Sequence, residues 1–432
     1  MNTLDSEYAS CLQELFSLQK FGIKFGLSST SALLERLGHP ERGQAFVHIA
    51  GTNGKGSVAS FLASILHFAG LKVGLYTSPH LVRFTERFQV NGQEVDRHQA
   101  VDLIRTVTSA FDDREPPTFF EAVTAMGLVF FARQKTDISI LETGMGGRLD
   151  ATNVINPLIS IITSISMEHK EYLGSTLLDV AREKAGIIKP RIPVLTAVNQ
   201  PKVIKLIEDT CHEQQAPLYR LGREVKARIS GNRLFYRGLS TDLPGLDLGL
   251  PGRHQGRNAA LALVASELLT QKGYTVSDAA RREGVARTVW PGRMHLLSTQ
   301  PKIMLDGAHN PAAIKALAQS LQGDPFFHKL ILVIGIMADK AAKPMLRAIL
   351  PLADRVFFTR PVYERAMDPN RLREQAGKQA AGHHVVQSLP QALEQAKAAA
   401  GPEDLILVTG SLFTVGEALS HLDPVNWPPD PV

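Results

Sequence analysis

The stretch Gly51-Thr52-Asn53-Gly54-Lys55-Gly56-Ser57 stands between two patterns of different period. Upstream, Phe46-Val-His-Ile-Ala50 is a short apolar run that reads as a buried strand. Downstream, Val58, Phe61, Leu62, Ile65, Leu66 and Ala69 recur at helical spacing, and Gly70 closes the helix. A second apolar run, Val73 to Thr77, follows. The glycine-rich turn thus joins a strand to a helix N-terminus inside a βαβ unit. Glycines let backbone approach a phosphate, the first helix amides point at it, and Lys55 adds a cation. The usual phosphate-loop pattern is not met strictly. Ile49 stands where its first glycine belongs, and Gly56 separates Lys55 from the Ser57 hydroxyl. An ordinary glycine turn is the competing reading, and the strand, lysine, hydroxyl and helix together argue against it.

Outward from this unit the chain alternates strands and helices. Apolar runs at 138–141, 157–163 and 192–197 read as buried strands, and 97–111 and 119–133 as helices parted by Pro116-Pro117. Residues 8–20 and about 30–38 read as two short helices before the first strand, with a loop at Phe21–Leu27 between them. Such alternation implies a mostly parallel sheet covered on both faces. From Leu218 to Leu248, short alternating stretches such as Arg233-Leu-Phe-Tyr-Arg237 suggest an antiparallel appendage. Helical patterns at 257–271 and 276–287 lead to Trp290-Pro-Gly-Arg293, the expected joint. A second α/β series follows, with strands at 302–305, 330–334, 355–359 and 405–408. The fold class expected is α/β in two domains. Residues 1–289 are expected to form a phosphate-loop domain, and residues 290–432 a smaller Rossmann-like domain. With 432 residues, two cores are the natural expectation.

Composition narrows the class. A 44% hydrophobic, 21% charged chain is globular. The first ten residues show no basic-then-apolar run, so no secretory signal is expected, and no apolar stretch suggests a membrane span. Cys11 and Cys211 cannot form a disulfide framework and have no metal-ligand spacing, which suits a reducing, cytoplasmic setting. The net charge of +5 is spread along the chain without a basic tract or interleaved aromatics, so nucleic acid is not the expected partner.

In an open parallel sheet, ligands bind beyond the carboxyl ends of the strands. Ser78, Glu142, Glu168 and His169 fall at such ends. Their oxygen-dominated chemistry suits Mg²⁺, and Mg²⁺ beside a phosphate loop implies a nucleoside triphosphate. The glycines of Glu142-Thr-Gly-Met-Gly-Gly-Arg148 suggest close backbone approach to a ligand. His169 by itself reads more often as a surface or capping histidine and draws its weight from position only, and Lys184, near a helix end, reads from its local residues as a solvated lysine. Asp306-Gly-Ala-His-Asn-Pro311 reads either as a capped turn or, with Arg293, as a second wall closing on the nucleotide.

Taken in order, Gly51–Ser57, Thr77-Ser-Pro-His-Leu81, Glu142–Asn153, Glu183-Lys-Ala-Gly-Ile-Ile188, Pro291-Gly-Arg293, Asp306–Pro311 and Thr409-Gly-Ser-Leu-Phe413 resemble the folylpolyglutamate synthases. In bacteria these are often also dihydrofolate synthases, and they belong to the Mur ligase superfamily. The resemblance spans nearly the whole chain. It implies ATP-dependent amide ligation: a substrate carboxylate attacks the γ-phosphate, giving an acyl phosphate and ADP, and the amine of L-glutamate displaces phosphate. By this resemblance, Asn53, Gly54, Lys55, Gly56, Ser57, Asn258, Arg293 and Asp306 contact ATP. Ser78, Glu142 and His169 match ligands of Mg²⁺, as one ion or two. Lys184 matches a carbamylated lysine, and His309 a residue near the γ-phosphate and the incoming amino acid; with Lys55, these two carry the catalytic assignment.

Contacts to the pterin are implied for Pro117, Thr118, Phe119 and Phe120, for Leu149, Asp150 and Ala151, and for Ile23 and Lys24. Phe119 and Phe120 offer a stacking surface, against the plainer reading of helix-start core. Asp150 offers a carboxylate to the ring's donors. Lys24 stands where an acidic residue is expected and could instead hold a folate glutamate carboxylate; Glu168 replaces the usual aspartate before the metal histidine. Expected partners are ATP, L-glutamate and a folate or dihydropteroate, with no nucleic acid, no membrane and a monomeric chain. A cell-wall Mur ligase is disfavoured, because too few residues precede the first strand for the extra domain such enzymes usually carry. A nucleotide-driven switch would bind ATP without glutamate-dependent turnover.

Overall fold

The computed structural model describes every residue except Met1, Asn2, Ile23, Phe25, Asp113, 323–325, Ala381 and Val432. Buried parallel strands are contiguous apolar runs, and the chain spends its apolar runs that way. In chain order these are β1 (Phe46–Ala50), β2 (Val73–Tyr76), β3 (Phe88–Val90), β4 (Gln93–Glu94), β5 (Ile138–Glu142), β6 (Ile159–Ile162), β7 (Val194–Thr196) and β8 (Leu218–Arg220). They form one eight-stranded sheet in the order β4-β3-β2-β5-β1-β6-β7-β8. The strands from β2 to β8 pair in parallel, while β3 and β4 add an antiparallel hairpin at one edge.

The strand β1 lies between β5 and β6, and the chain leaves it for β2, beyond β5. The order therefore reverses at β1, which puts the glycine-rich turn at the switch point where such sheets bind ligands. One face is packed by the helix Lys55–Phe68 and by helices Gln255–Gln271 and Asp278–Ala286. The other is covered by helices Thr3–Ser17, Arg97–Thr108 and Phe119–Gln134.

The 218–248 region divides differently from the sequence expectation. Leu218–Arg220 joins the main sheet as its edge strand β8. Only β9 (Lys226–Ser230), β10 (Arg233–Arg237) and β11 (Asp242–Asp247) make the antiparallel appendage. Its inward residues Leu234, Tyr236, Leu243 and Leu246 join the core around Gln255–Gln271. The Tyr236 hydroxyl donates to buried Glu267 of that helix, at 2.5 Å. The appendage is thus half a layer of the first domain rather than a free module.

The second sheet holds β12 (His295–Thr299), β13 (Lys302–Asp306), β14 (Leu330–Ile334), β15 (Arg355–Phe358), β16 (His384–Val385) and β17 (Leu405–Thr409), in the order β12-β13-β17-β14-β15-β16. The four central strands match the expected runs. Short β12 and β16 escape a hydrophobic reading because they lie at the edges and keep polar faces. Each sheet has its own core, and the chain passes between them at Trp290–Arg293.

Candidate active site

Gly54, in left-handed backbone (φ 89°), caps the helix Lys55–Phe68. The first amide of that helix to find a carbonyl is that of Val58, bonded to Gly54 at 2.9 Å. The amides of Lys55, Gly56 and Ser57 are left to face an anion. The loop is braced from β6: Thr163 Oγ1 and Ser164 Oγ donate to the Asn53 carbonyl at 2.8 and 2.9 Å. Lys55 Nζ donates to Gly51 O at 3.0 Å and lies 3.7 Å from Glu142 Oε1. Free helix amides with a lysine ammonium beside them are an arrangement able to cradle a phosphate.

All of Asn53, Gly54, Lys55, Gly56, Ser57, Asn258, Arg293, Asp306 and His309 line one cleft of about 420 Å³, together with Ser78, Glu142, Glu168 and His169. Glu142 is buried, and desolvation raises its pKa, opposed by Lys55, Arg293 and the Ser78 amide. His169 sits on the exposed lip with φ 42°, as the cap of the short helix Lys170–Leu173. Among the described residues no three His, Cys, Asp or Glu side chains alone form a metal cluster. Ser78, Glu142 and His169 offer the cleft a hydroxyl, a carboxylate and an imidazole, a donor set that would suit a hard divalent cation.

Lys184 is not solvated. It is 1% exposed, lies behind Glu168 rather than in the cleft wall, and puts Nζ 2.5 Å from Glu168 Oε1. Burial draws its pKa below the lysine range despite Glu168. Burial also pushes Glu168 up, but Lys184 and Lys55 outweigh it and hold the carboxylate ionised. The glycines after Glu142 also have a packing reason. A Cβ on Gly147 would come within 2.8 Å of the Glu183 carbonyl and 3.0 Å of that of Lys184. The loop therefore needs glycine there to lie against the helix Leu177–Ala185 that carries Lys184. Ligand approach, the reading offered by sequence, is not the only demand on it.

In the second domain, Asp306 Oδ2 accepts from Met294 N and Oδ1 from Ala308 N, both at 2.9 Å. Asp306 thereby brackets the joint to the end of β13 while lining the cleft. His309 Nδ1 is 2.9 Å from Gly307 O. Burial, with Arg293 and Lys340 nearby, lowers its pKa to about 4, so a neutral ring keeps Nδ1–H on the carbonyl and leaves Nε2 as an acceptor. Asn310 and Asn53 exchange side-chain amide hydrogen bonds of 2.8 and 3.2 Å across the domain boundary. This clasp brings the two walls together.

A second pocket of about 290 Å³ holds Lys24, Thr118, Phe119, Phe120, Leu149, Asp150 and Ala151. Thr118 and Glu121 form a capping box that fixes the start of the helix Phe119–Gln134. Both phenylalanine rings are half-buried, so they are wall and core at once. Pro117 is buried and is not part of this wall. Ile23 lies outside the described residues. Lys24 Nζ donates to Pro116 O at 2.8 Å, an anchor for its loop. Asp150 is already engaged: Oδ1 accepts from Thr152 N and Oγ1, and Oδ2 from Met145 N. A ring donor would have to share those oxygens. Ser78, Pro79 and Gly144 line both pockets, which therefore meet at these residues.

Sequence reasoning missed Arg87, buried in the second pocket, and Lys340, a cation beside His169 and His309. Lys340 lies just past β14, and the strand-end rule could have found it. Arg87 carried only a weak signal, a lone arginine between Phe84 and Phe88.

A family model for the Mur ligase middle domain matches residues 49–266, and one for the Mur ligase glutamate ligase domain matches 292–412. The chain is 34% identical to the dihydrofolate synthase/folylpolyglutamate synthase of Bacillus subtilis, over 93% of this chain and 96% of that one. The chain belongs to the Mur ligase family, in its folylpolyglutamate synthase branch. Among solved Mur ligases of this branch, Escherichia coli FolC in complex with DHPP and ADP superposes with a TM-score of 0.89 at 33% identity, covering 96% of this chain and 98% of that one. A bifunctional folylpolyglutamate synthase/dihydrofolate synthase with Mn, AMPPNP and L-glutamate bound gives 0.86 at 31%, covering 95% and 98%.

Proposed function

We propose that this Mur ligase joins L-glutamate to folates and to dihydropteroate, consuming ATP through an acyl phosphate. The observation that carries the reading is the meeting of the two pockets. A phosphate cradle and an aromatic-walled pocket of the size and polarity of a bicyclic ring system open on Ser78 and Gly144, with Glu142 beside them. A carboxylate held in the second pocket can thus be presented to a γ-phosphate held in the first. Relatives of high coverage carry both activities in their names.

The protein's work is positioning and charge neutralisation. The free amides at Lys55–Ser57 and the Lys55 ammonium hold the phosphates; Asn258, Arg293 and Asp306 enclose the rest of the nucleotide. When bound, Mg²⁺ supplies charge neutralisation for the phosphate oxygens, and Ser78, Glu142 and His169 are the residues that would hold it, as one ion or two. His309 is neutral at working pH and offers Nε2 as an acceptor to the glutamate ammonium. Lys184 is carried as a carbamate, formed when CO₂ adds to the neutral amine that burial favours and a proton leaves, so that the ion pair with Glu168 belongs to the unmodified lysine. A Lys184→Ala variant should lose activity and regain part of it with added short-chain carboxylate. The active unit is the cytoplasmic monomer, since one chain supplies both walls of the cleft and its cysteines are free and buried.

The test is an ADP-release assay with and without L-glutamate, run on dihydropteroate and on tetrahydrofolate. Glutamate-dependent turnover of both is expected. Turnover of tetrahydrofolate alone would restrict the enzyme to polyglutamate synthesis, and ADP release indifferent to glutamate would favour a nucleotide switch.

A further inference from the structure

Arg87 ends the one-turn helix Phe84–Arg87 that follows the Ser78–Leu81 segment, and it is only 6% exposed. Its Nε donates to His80 Nδ1 at 2.9 Å. The guanidinium carbon lies 5.4 Å from the Phe119 ring centroid and 5.9 Å from that of Phe84. Its plane is therefore fixed between two aromatic rings and one acceptor. The two terminal nitrogens have no hydrogen-bond acceptor among the described residues, and no carboxylate lies within 4.0 Å of the group.

The carboxylates nearby are committed elsewhere. Glu86 accepts from the amides of Leu81, Val82 and Arg83, and Glu142 faces Lys55. A buried cation without a counter-charge is expensive unless a ligand supplies one. Arg87 lines the second pocket alongside Ser78 and Pro79, at the end that meets the phosphate cleft. The other cation of this pocket, Lys24, is bound to Pro116 O.

We propose that Arg87 anchors a carboxylate of the pteroyl substrate at the inner end of this pocket. The proposal rests on the folate-ligase reading and adds to it a residue that sets where the reacting end of the substrate lies. A planar guanidinium fork suits a carboxylate, which it can hold by two parallel bonds, and its rigid setting here leaves little freedom to lose on binding. The carboxylate can be the benzoate of dihydropteroate or a glutamyl carboxylate of a folate. These sources put the pterin ring at different depths.

The experiment measures binding of three ligands to the full chain: dihydropteroate, its analogue lacking the carboxyl group, and tetrahydrofolate. The wild type should prefer dihydropteroate over the analogue by about tenfold or more. Arg87→Gln should weaken dihydropteroate about ten- to a hundred-fold while leaving the analogue and ATP nearly unchanged, and Arg87→Lys should recover part of the loss. If tetrahydrofolate alone weakens, the anchor serves the glutamyl carboxylate. Equal losses for dihydropteroate and the analogue would overturn the proposal, because Arg87 would then shape the pocket or hold the ring. If the variants do not fold, the wild-type preferences decide: equal affinity for dihydropteroate and its analogue, with tetrahydrofolate bound no more tightly than either, also overturns it. A wild type that binds none of the three fails the folate reading itself and takes the proposal with it.

Discussion

Lys55 has two partners at close range, the Gly51 carbonyl and Glu142, and neither belongs to the apolar core. Lys55→Ala should therefore lower ATP-dependent turnover by about a hundred-fold or more, as expected when a charge aimed at a developing anion is removed. Its unfolding free energy should change by only about 1 kcal/mol, checked by steady-state kinetics and denaturant titration. His48, fully buried on β1 and hydrogen-bonded to Thr152 Oγ1, is held near a pKa of about 3 by burial and by Lys189. His309 is held near about 4. Both lie below the ordinary imidazole value of about 6.5, so the unfolded chain takes up these protons first as pH falls. Stability present above about pH 6.5 should be lost on acidification toward about pH 4, with His48 alone costing about 2 kcal/mol at pH 5. A His48→Gln variant should show a shallower decline between pH 7 and pH 5 in denaturant titrations. At this scale the phosphate-loop residues were legible because phosphate chemistry demands glycine, lysine and hydroxyl in one short run. The Glu168–Lys184 pair was not, since its members lie on separate elements and meet only through packing.

At the scale of the element, the turn from β1 to its helix is the tightest demand in the chain. Gly51 has φ 151°, and a Cβ there would lie 1.9 Å from Thr163 Oγ1 on the neighbouring β6 segment. Gly51→Ala should push β1 and β6 apart at their carboxyl ends. An expected cost of about 1–3 kcal/mol in stability, with loss of nucleotide binding, can be read by thermal denaturation with and without ATP. The central strands were legible because strands buried on both faces need unbroken apolar runs. The hairpin β3–β4 and the edge strand β12 were not. Gln89, Gln93 and Glu94 keep polar faces, and their pairing depends on neighbours supplied by the rest of the sheet. Leu218–Arg220 was placed in the wrong sheet because three residues carry too little pattern to choose a partner strand.

At the scale of the molecule, two hydrogen-bonded ties among the described residues join the domains, beside the packing of Leu81 and Val82 on the second core. One is the Asn53–Asn310 clasp at the cleft. The other is the segment after Leu422, which returns to the first domain. There Asp430 accepts from Phe84 N at 2.7 Å and from the Tyr8 hydroxyl at 3.1 Å, while Arg83 donates to Asn426 O and lies 4.8 Å from the Trp427 ring. Removing residues 424–432 should lower the denaturation midpoint and raise KM for the pteroyl substrate more than KM for ATP, because Phe84 N belongs to the turn that carries Arg87. Equal effects on both would mean that the segment only adds stability. Neither tie was legible in sequence, since each joins residues hundreds of positions apart.

The central claim is that two pockets meet so that a carboxylate in one attacks a phosphate in the other. Its most direct test follows oxygen-18 from the carboxylate of labelled dihydropteroate during turnover with MgATP and L-glutamate. The account predicts that one labelled oxygen appears in the inorganic phosphate released, in step with dihydrofolate formed. Dihydrofolate formed with unlabelled phosphate, or ADP released with the label still wholly in dihydropteroate, would contradict it.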